Sequence, residues 1–307
     1  MTTERTHTTP TPDGPTLGPG ADARPGGRPR GLLVVRLPRP RRPTGTIALA
    51  VLVGMGAIAV AAPLLTPFDP LATDTSATAL PPGSPDHLLG TDLLGRDLLT
   101  RLLYGARTSL LVGLVAAAIT VLAGTVIGAL AAVGPRRLDE AITRVADTLL
   151  SLPLLVVVLA LSTVAGPSLG SVIVAIAVTS WMPVALVART ALRTQRERRY
   201  VRAARSLGLS PAQVLGRHLL PGAIPPVASI AAFEVGHAIL TESTLSFLGL
   251  GIPPNRPSWG NLLTEAQSHL LTGQWYTVAF PAVAIVITIV AVNALAATLA
   301  RPESSAW

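Results

Sequence analysis

The sequence predicts an all-α integral membrane protein with six transmembrane helices. Half of its 307 residues are hydrophobic and only 13% are charged, whereas soluble domains carry about 25% charged residues. Its mean hydropathy is +0.55. Apolar runs long enough to cross a bilayer recur along the chain, and arginine is concentrated in alternate connecting segments. Together these observations favour a membrane protein over a soluble one.

Composition excludes several kinds of chemistry. Cysteine is absent, so disulfides, thiol catalysis and thiolate metal sites are ruled out. All 24 basic residues are arginine. A phosphate-binding loop of the form G-x-x-x-x-G-K-[ST] needs its lysine, so the chain holds no such ATPase site. Any ATP-driven process must therefore draw on another chain.

Three regions follow from the distribution of proline, charge and apolar residues. Residues 1–45 are rich in Pro, Gly, Thr and Arg and predict a disordered, basic cytoplasmic tail. Residues 46–106 hold the first transmembrane helix, 46–65, and a polar extracytoplasmic segment. "AVAA" in that helix resembles a signal-peptide cleavage site, but the preceding tail is too long for a signal peptide, which favours a retained anchor.

Residues 107–300 form the predicted transmembrane core. Pro153, Pro167 and Pro183 are expected to kink or end its second and third helices. The five further predicted spans are 109–133, 145–165 (interrupted by "SLPLL"), 171–188, 226–248 and 277–299.

Arginine placement predicts the orientation. Twenty arginines fall in the tail, in segments 134–147 and 189–226, and at the C-terminus. The opposite segments hold four, namely Arg96, Arg101, Arg107 and Arg256. Because cytoplasmic loops are enriched in arginine, both termini are predicted to be cytoplasmic.

The cytoplasmic stretch "YVRAARSLGLSPAQVLGRHLLP", 200–221, has strong local signals. Gly208 is expected to end one helix in a left-handed conformation. Ser210 as N-cap and Pro211 in the first turn then start another, which "LLPG" is expected to end. The stretch is either a basic loop held by lipid phosphates or a docking surface for a cytoplasmic partner.

This stretch resembles the EAA loop of ABC-importer permeases. The matching positions are Arg202, Ala203, Ala204, Gly208, His218, Leu220 and Pro221. Two more segments, "HLLGTDLLGRDLLTRLLYGARTSL" and "ESTLSFLGLGIPPNRPSWGNLLTEAQ", are similar to the C-type permease subunit of dipeptide, oligopeptide and nickel importers. The resemblance covers about residues 45–300 and implies the MetI-like fold of type I ABC importers.

The resemblance also implies partners and a mechanism. A coupling loop, 191–225, would sit in a cleft of a separate ATPase subunit, and ATP and Mg would be used there, with no cofactor bound by this chain. A second homologous permease subunit, two ATPase domains, an extracytoplasmic substrate-binding protein and membrane lipid would be its partners. The location would be the bacterial cytoplasmic membrane, the mechanism alternating access, and the cargo short peptides.

Arg202 departs from the family pattern, which usually has glutamate at this position. Either the ATPase carries a compensating acid, or docking relies on the packing of Ala203, Ala204 and Gly208. The C-terminal stretch also lacks the acidic residues that this family tends to carry.

Three ionisable residues, Glu234, His237 and Glu242, lie in the fifth predicted span. Such residues are costly in a membrane and usually face the bundle interior. They are candidates for the translocation path, for polar packing between helices, or, least well supported, for metal ligation. Glu234 and His237, one turn apart, could share a hydrogen bond.

The outward segment contains the i,i+4 pairs Asp92–Arg96 and Asp97–Arg101. They could be simple helix pairs, or Asp92, Arg96 and Asp97 could form an extracytoplasmic gate or binding-protein contact.

Two further expectations concern the membrane interfaces. Arg189 is expected to snorkel to the interface. Trp259, Trp275 and Tyr276 are expected to join an aromatic belt at the outer interface.

Two other functions stay open at the level of sequence: a nickel or metal-chelate importer of the same family, and a proton-coupled secondary transporter using Glu234, His237 and Glu242. A non-transporting scaffold is disfavoured by the long, specific outward segment. Dependence of uptake on ATP would separate the ABC transporter from the proton-coupled one.

Overall fold

The computed structural model describes residues 43–270 and 272–300. Over these ranges the chain is helical, with no strand and only two isolated β-bridges. The predicted disordered tail lies outside the described residues except for 43–45, which begin the first helix. The helices are α1 Pro43–Leu65, α2 Leu98–Val133, α3 Arg136–Leu150, α4 Leu154–Ala165, α5 Leu169–Arg196, α6 Arg199–Ser206, α7 Pro211–Val214, α8 Leu220–Phe247, α9 Trp259–Leu270 and α10 Tyr276–Ala300.

Five helices in the described ranges are long and apolar enough to cross a bilayer: α1, α2, α5, α10, and α8 together with the turns that precede it. The α3–α4 pair passes the same test jointly but bends by 89° at its break. Pro153 stands at the break as the N-cap of α4, because a proline restricts the residue before it and cannot continue a helix. With this broken pair counted once, the predicted six spans are present.

Helix α2 begins 11 residues before the apolar run that predicted it. Asp97 caps it, since its carboxylate accepts hydrogen bonds from the Thr100 backbone N–H and hydroxyl, both at 2.7 Å. At 36 residues, α2 is about 54 Å long, well beyond the roughly 30 Å hydrocarbon core. Its first turns therefore belong to the polar segment outside the membrane.

Glycines let α2 lie between α5 and α8. A Cβ at Gly124 would stand 2.7 Å from the Val184 side chain, and one at Gly128 would stand 2.4 Å from the Ala185 carbonyl oxygen, both on α5. At Gly113 the same atom would meet Ile239 of α8 at 2.5 Å. Small residues allow such close helix approach in a bilayer, where packing rather than hydrophobic burial drives association.

These contacts define two ends of the bundle. Helices α2 and α5 run in the same direction, so their C-terminal ends both contact the segment 197–219. We call this end of the bundle the loop end. The beginning of α2, the segment 66–97 and α9 lie together at the opposite side, the α9 end.

One local prediction is wrong: "LLPG" does not end the second loop helix. Helix α7 passes into a π-helical turn, Leu215–Leu219, in which the Leu220 N–H bonds to the Leu215 carbonyl. Helix α8 follows directly, with Pro221 in its first turn. Because a proline lacks the N–H and is tolerated at the start of a helix, the chain runs on into the membrane span.

Candidate functional site: the loop between α5 and α8 and the buried polar clusters

The loop between α5 and α8 has its own apolar core. Val201 from α6, Val214 from α7 and Leu219 from the π turn are all at most 1% exposed. They pack with residues at the ends of the membrane helices. The cluster comprises Ala132, Leu192, Val201, Val214, Leu219 and Ala223. The short loop helices thus pack against three spans, so a displacement of the loop would also displace the ends of those spans.

Polar contacts reinforce this attachment. Arg196 donates to the Ala132 carbonyl at the end of α2, at 3.1 Å. The Gln195 side-chain amide donates to the Gly222 carbonyl in α8, also at 3.1 Å, and Tyr200 donates to the Gln195 oxygen at 3.3 Å. The end of α5 is therefore tied both to α2 and to α8.

Two of the predicted start and stop signals in the loop are confirmed. Gly208, which follows the C-cap Leu207 of α6, has φ +82°, a conformation that only glycine adopts without strain. Ser210 caps α7 in a capping box, in which its hydroxyl accepts from the Gln213 N–H and its own N–H donates to Gln213 Oε1 at 2.9 Å.

The residues that the EAA resemblance singles out divide between two faces. Ala204 is buried against the rest of the chain, and His218 is half-buried, edge-on to Tyr200 at 6.1 Å between ring centroids. The others are exposed and form an outward surface: Arg202, Ala203, Gly208, Leu220 and Pro221.

Leu207 also belongs to that surface, and the sequence analysis missed it. Its side chain is 81% exposed at the end of α6. A leucine beside the glycine of an otherwise arginine-rich helix was the available signal.

At the α9 end, two arginines and two carboxylates form one network. Arg101, 1% exposed, donates from Nη1 to Asp92 Oδ2 at 2.8 Å and to Glu265 Oε2 at 2.6 Å. Its Nη2 donates to Glu265 Oε1 at 3.0 Å. Arg96 contacts the same two acids, with its Nε 2.7 Å from Asp92. The network clamps the segment before α2 onto α9.

This geometry corrects the predicted helix pairs. Asp92 and Arg96 do pair, but they lie before α2 rather than on a helix. Asp97 does not pair with Arg101: it caps α2 and lies 3.0 Å from the Nδ1 of His87. The sequence did not predict Glu265 as a partner of Arg101. The two residues are 164 positions apart, and no local sequence pattern indicates a partner at that distance.

The clamp is expected to weaken in acid. Burial alone would raise the pKa of Glu265, but hydrogen bonds and charge from Arg101 and Arg96 hold it below its ordinary 4.5. A carboxylate with a lowered pKa in the folded state stabilises the protein above about pH 4.5, and that contribution is lost as the pH falls through the lower folded value. We expect the melting temperature of the full chain in detergent to drop between pH 5 and 3, and less steeply in Glu265→Gln. Equal slopes for the two proteins would contradict this.

In α8, Glu242 is completely enclosed. Its carboxylate accepts from Ser246 at 2.8 Å and from Ser109 of α2 at 3.2 Å, and Ser243 and Ser258 also hydrogen-bond to it. The Ser109 hydroxyl in turn accepts the Trp259 backbone N–H at 3.1 Å. The cluster joins α2, α8 and the start of α9.

Glu234 and His237 are close but not hydrogen-bonded. Their nearest atoms, Oε2 and Nδ1, are 3.7 Å apart, beyond hydrogen-bond range. Glu234 is 3% exposed, while His237 is half-buried and stacks on Phe233 at 6.4 Å. In the described part of the chain no three His, Asp or Glu side chains are grouped as metal ligands.

Three expected interfacial residues have other partners. Arg189 binds Asp139 of α3 through two hydrogen bonds, the longer at 3.0 Å. Trp259 is 1% exposed and donates from Nε1 to the Leu102 carbonyl, and the Tyr276 hydroxyl donates to the Leu80 carbonyl at 2.9 Å. Only Trp275 of the three aromatic residues is exposed, at 63%, as a belt residue would be.

Comparison with known proteins identifies the chain as a membrane transport subunit rather than an enzyme. Residues 124–301 match the family model for the inner membrane component of binding-protein-dependent transport systems. The dipeptide transport system permease protein DppC of Bacillus subtilis is 38% identical over 247 residues, which cover 80% of this chain and 77% of that protein. The di/tripeptide transport system permease protein DppC of Pseudomonas aeruginosa is 36% identical, over 76% and 79% of the two chains.

The chain therefore belongs to the family of binding-protein-dependent inner-membrane permease components of ABC importers. A chain of the MetNI methionine ABC transporter, solved in inward-facing conformations, superposes with a TM-score of 0.53 at 17% identity. That match covers 66% of this chain and 97% of the other and confirms the MetI-like fold. Membership implies an ATPase and a substrate-binding protein as partners.

Proposed function

We propose that this chain is the permease subunit of an importer of short peptides, driven in trans by a separate ATPase. The observation that carries this is the attachment of the α5–α8 loop: its own apolar core and its hydrogen bonds join it to α2, α5 and α8. A movement of such a loop is therefore transmitted directly to the membrane-spanning helices. The peptide cargo is supported by the relatives, which are named as dipeptide or di/tripeptide permeases.

The docking surface for the ATPase consists of the exposed residues of the loop. Exposed Leu207, Ala203 and Gly208 supply apolar contact, and Arg202 supplies charge. Ala204 and His218 support this surface from behind. Leu220 and Pro221 extend it toward the membrane. ATP and Mg act on the partner subunits.

The loop end faces the cytoplasm in this proposal. Twenty of the 24 arginines then lie on the cytoplasmic side together with both termini, and this bias supports the proposed orientation. The protein sits in the bacterial cytoplasmic membrane beside a second, homologous permease subunit and lipid. Two ATPase domains bind from the cytoplasm, and the substrate-binding protein docks from outside.

The polar residues of the bundle take different roles. Half-buried His237, with Glu234 beside it, borders the translocation path at mid-membrane. Glu242 is enclosed by hydroxyls, so it serves that path by fixing α2, α8 and α9 relative to each other. Asp92 and Arg96, with Asp97 capping α2, hold the segment before α2 in place at the extracytoplasmic gate; the two acids are buried and Arg96 is half-buried.

Uptake by the reconstituted importer tests the proposal. Proteoliposomes with the permease pair, ATPases and binding protein should accumulate labelled dipeptide only with internal ATP, and a protonophore should have no effect. Uptake that survives ATP depletion and collapses with the protonophore would instead establish proton coupling. Uptake of a nickel chelate with no uptake of dipeptide would refute the peptide cargo.

Arg202→Glu restores the residue usual in the family. If docking rests on packing of the small residues, we expect the variant to co-purify with the ATPase of a relative whose loop has glutamate at least as well as the wild type does. Arg199→Glu, one turn earlier on α6, controls for a change of charge alone. Loss of co-purification with this chain's own ATPase would identify Arg202 as a specific contact with an acidic site.

A further inference from the structure

A second site lies at the α9 end, on the outer surface of the bundle. A pocket of about 410 Å³ opens between the start of α2 and the loop that precedes α9. It is lined among others by Pro70, Leu71, Tyr104, Arg107, Asn255 and Arg256. Two arginines therefore border one concave surface together with a tyrosine and an asparagine.

Both arginines have free charges. In contrast to Arg96 and Arg101 in the clamp, Arg107 and Arg256 form no ion pair with a carboxylate among residues 43–270 and 272–300. Both are exposed. Asp69, next to the lining residue Pro70, accepts the Leu71 N–H instead. The pocket thus keeps a net positive charge.

The position of the pocket along the membrane normal indicates where its ligand comes from. Arg107 stands just before the apolar run that begins at Ser109. From Arg107 to Val133 the helix rises about 40 Å, close to the roughly 40–45 Å of a bilayer that includes its headgroups. Arg107 therefore lies at the level of lipid headgroups when the end of α2 lies at the opposite interface.

The surface below the pocket suits an acyl chain. Leu111 and Leu114 follow Arg107 on the same face of α2, one and two turns into the membrane, and are 46% and 58% exposed. A charged pocket above an exposed apolar stripe matches a phospholipid, with its phosphate above and its tails below. A soluble protein partner would meet only the upper part.

We propose that Arg107 and Arg256 bind the phosphate of an anionic phospholipid in the leaflet at the α9 end. Planar guanidinium groups donate paired hydrogen bonds to phosphate oxygens, and Tyr104 and Asn255 line the same pocket. The bound lipid holds the loop before α9 against α2, next to the Trp259–Ser109 contact. The site depends on the placement of the chain in the membrane, and it stands whatever the cargo is.

Native mass spectrometry of the full chain tests the site. The protein in detergent is mixed with palmitoyl-oleoyl-phosphatidylglycerol, with the corresponding phosphatidylcholine, or with inorganic phosphate. We expect Arg107→Gln/Arg256→Gln to retain about tenfold less phosphatidylglycerol than the wild type. Arg137→Gln removes an exposed arginine at the other end and should leave binding unchanged.

Further variants and arms keep the test decisive. Arg107→Lys/Arg256→Lys retains both charges but loses the planar donors, so intermediate binding is expected even if the glutamine variant is unstable. Equal lipid retention by the wild type and the glutamine variant would overturn the proposal. This holds even if the glutamine variant no longer associates with the substrate-binding protein. Equal retention of phosphatidylcholine, or displacement of lipid by millimolar phosphate, would overturn the choice of an anionic lipid.

Discussion

Replacing Arg101 with methionine is expected to cost about 3–5 kcal/mol of stability. The Arg101 guanidinium is 1% exposed and contacts both Asp92 and Glu265. Methionine fills similar space but leaves two acids facing each other with only Arg96 to balance them. When one partner of a buried ion pair is removed, most of the lost stability is the penalty of burying the other charge without its partner. The segment before α2 should therefore detach from α9 before the membrane helices unfold.

Thermal unfolding in detergent measures this effect, with proteolysis of segment 66–97 as a local readout. Arg136→Met is the matched control, because Arg136 pairs with Glu140 on an exposed surface, where such pairs contribute at most about 1 kcal/mol. Adding Glu265→Gln to Arg101→Met should restore part of the stability, since Arg96 and Asp92 then remain as a single matched pair. If Arg101→Met were as mild as the control, the network would not hold this end together.

Gly208→Val is expected to reduce uptake at least about tenfold, which corresponds to roughly 1.4 kcal/mol of coupling free energy, while membrane insertion is retained. Gly208 has φ +82°, and a Cβ there would meet no atom within 4 Å. The change is therefore free of clashes, but a β-branched residue is strained in this conformation by about 1–3 kcal/mol. The link between α6 and α7 should relax to another geometry and misplace Leu207 and Arg202.

Uptake and ATPase activity of the reconstituted importer, measured together, test this. ATP hydrolysis should no longer be linked to transport. Gly273→Val is a matched control, because Gly273 also has φ +82° and open space around it but lies just before α10 at the other end. That variant should be similarly strained yet keep the coupling of hydrolysis to transport. Normal uptake in Gly208→Val would refute the docking role of the loop.

Local chemistry was sufficient for much of the architecture. The length of apolar runs located the spans, a proline located the break between α3 and α4, and Gly208, Ser210 and Pro211 located the ends of the loop helices. Each of these depends on backbone sterics, capping or hydrophobicity within a few residues. They hold wherever the segment comes to lie.

Partners distant in sequence could be found only once the helices had packed. Residues such as Arg101, Arg189 and Trp259 looked like helix-pair or interfacial residues, yet each is held by a group between 50 and 164 residues away. The same holds for Glu242, whose serine partners come from α2 and α8 and from the residue before α9. In a membrane, a polar side chain must find its partner inside the bundle. The residue type shows that a partner is needed, and only the packing of the helices decides which residue it is.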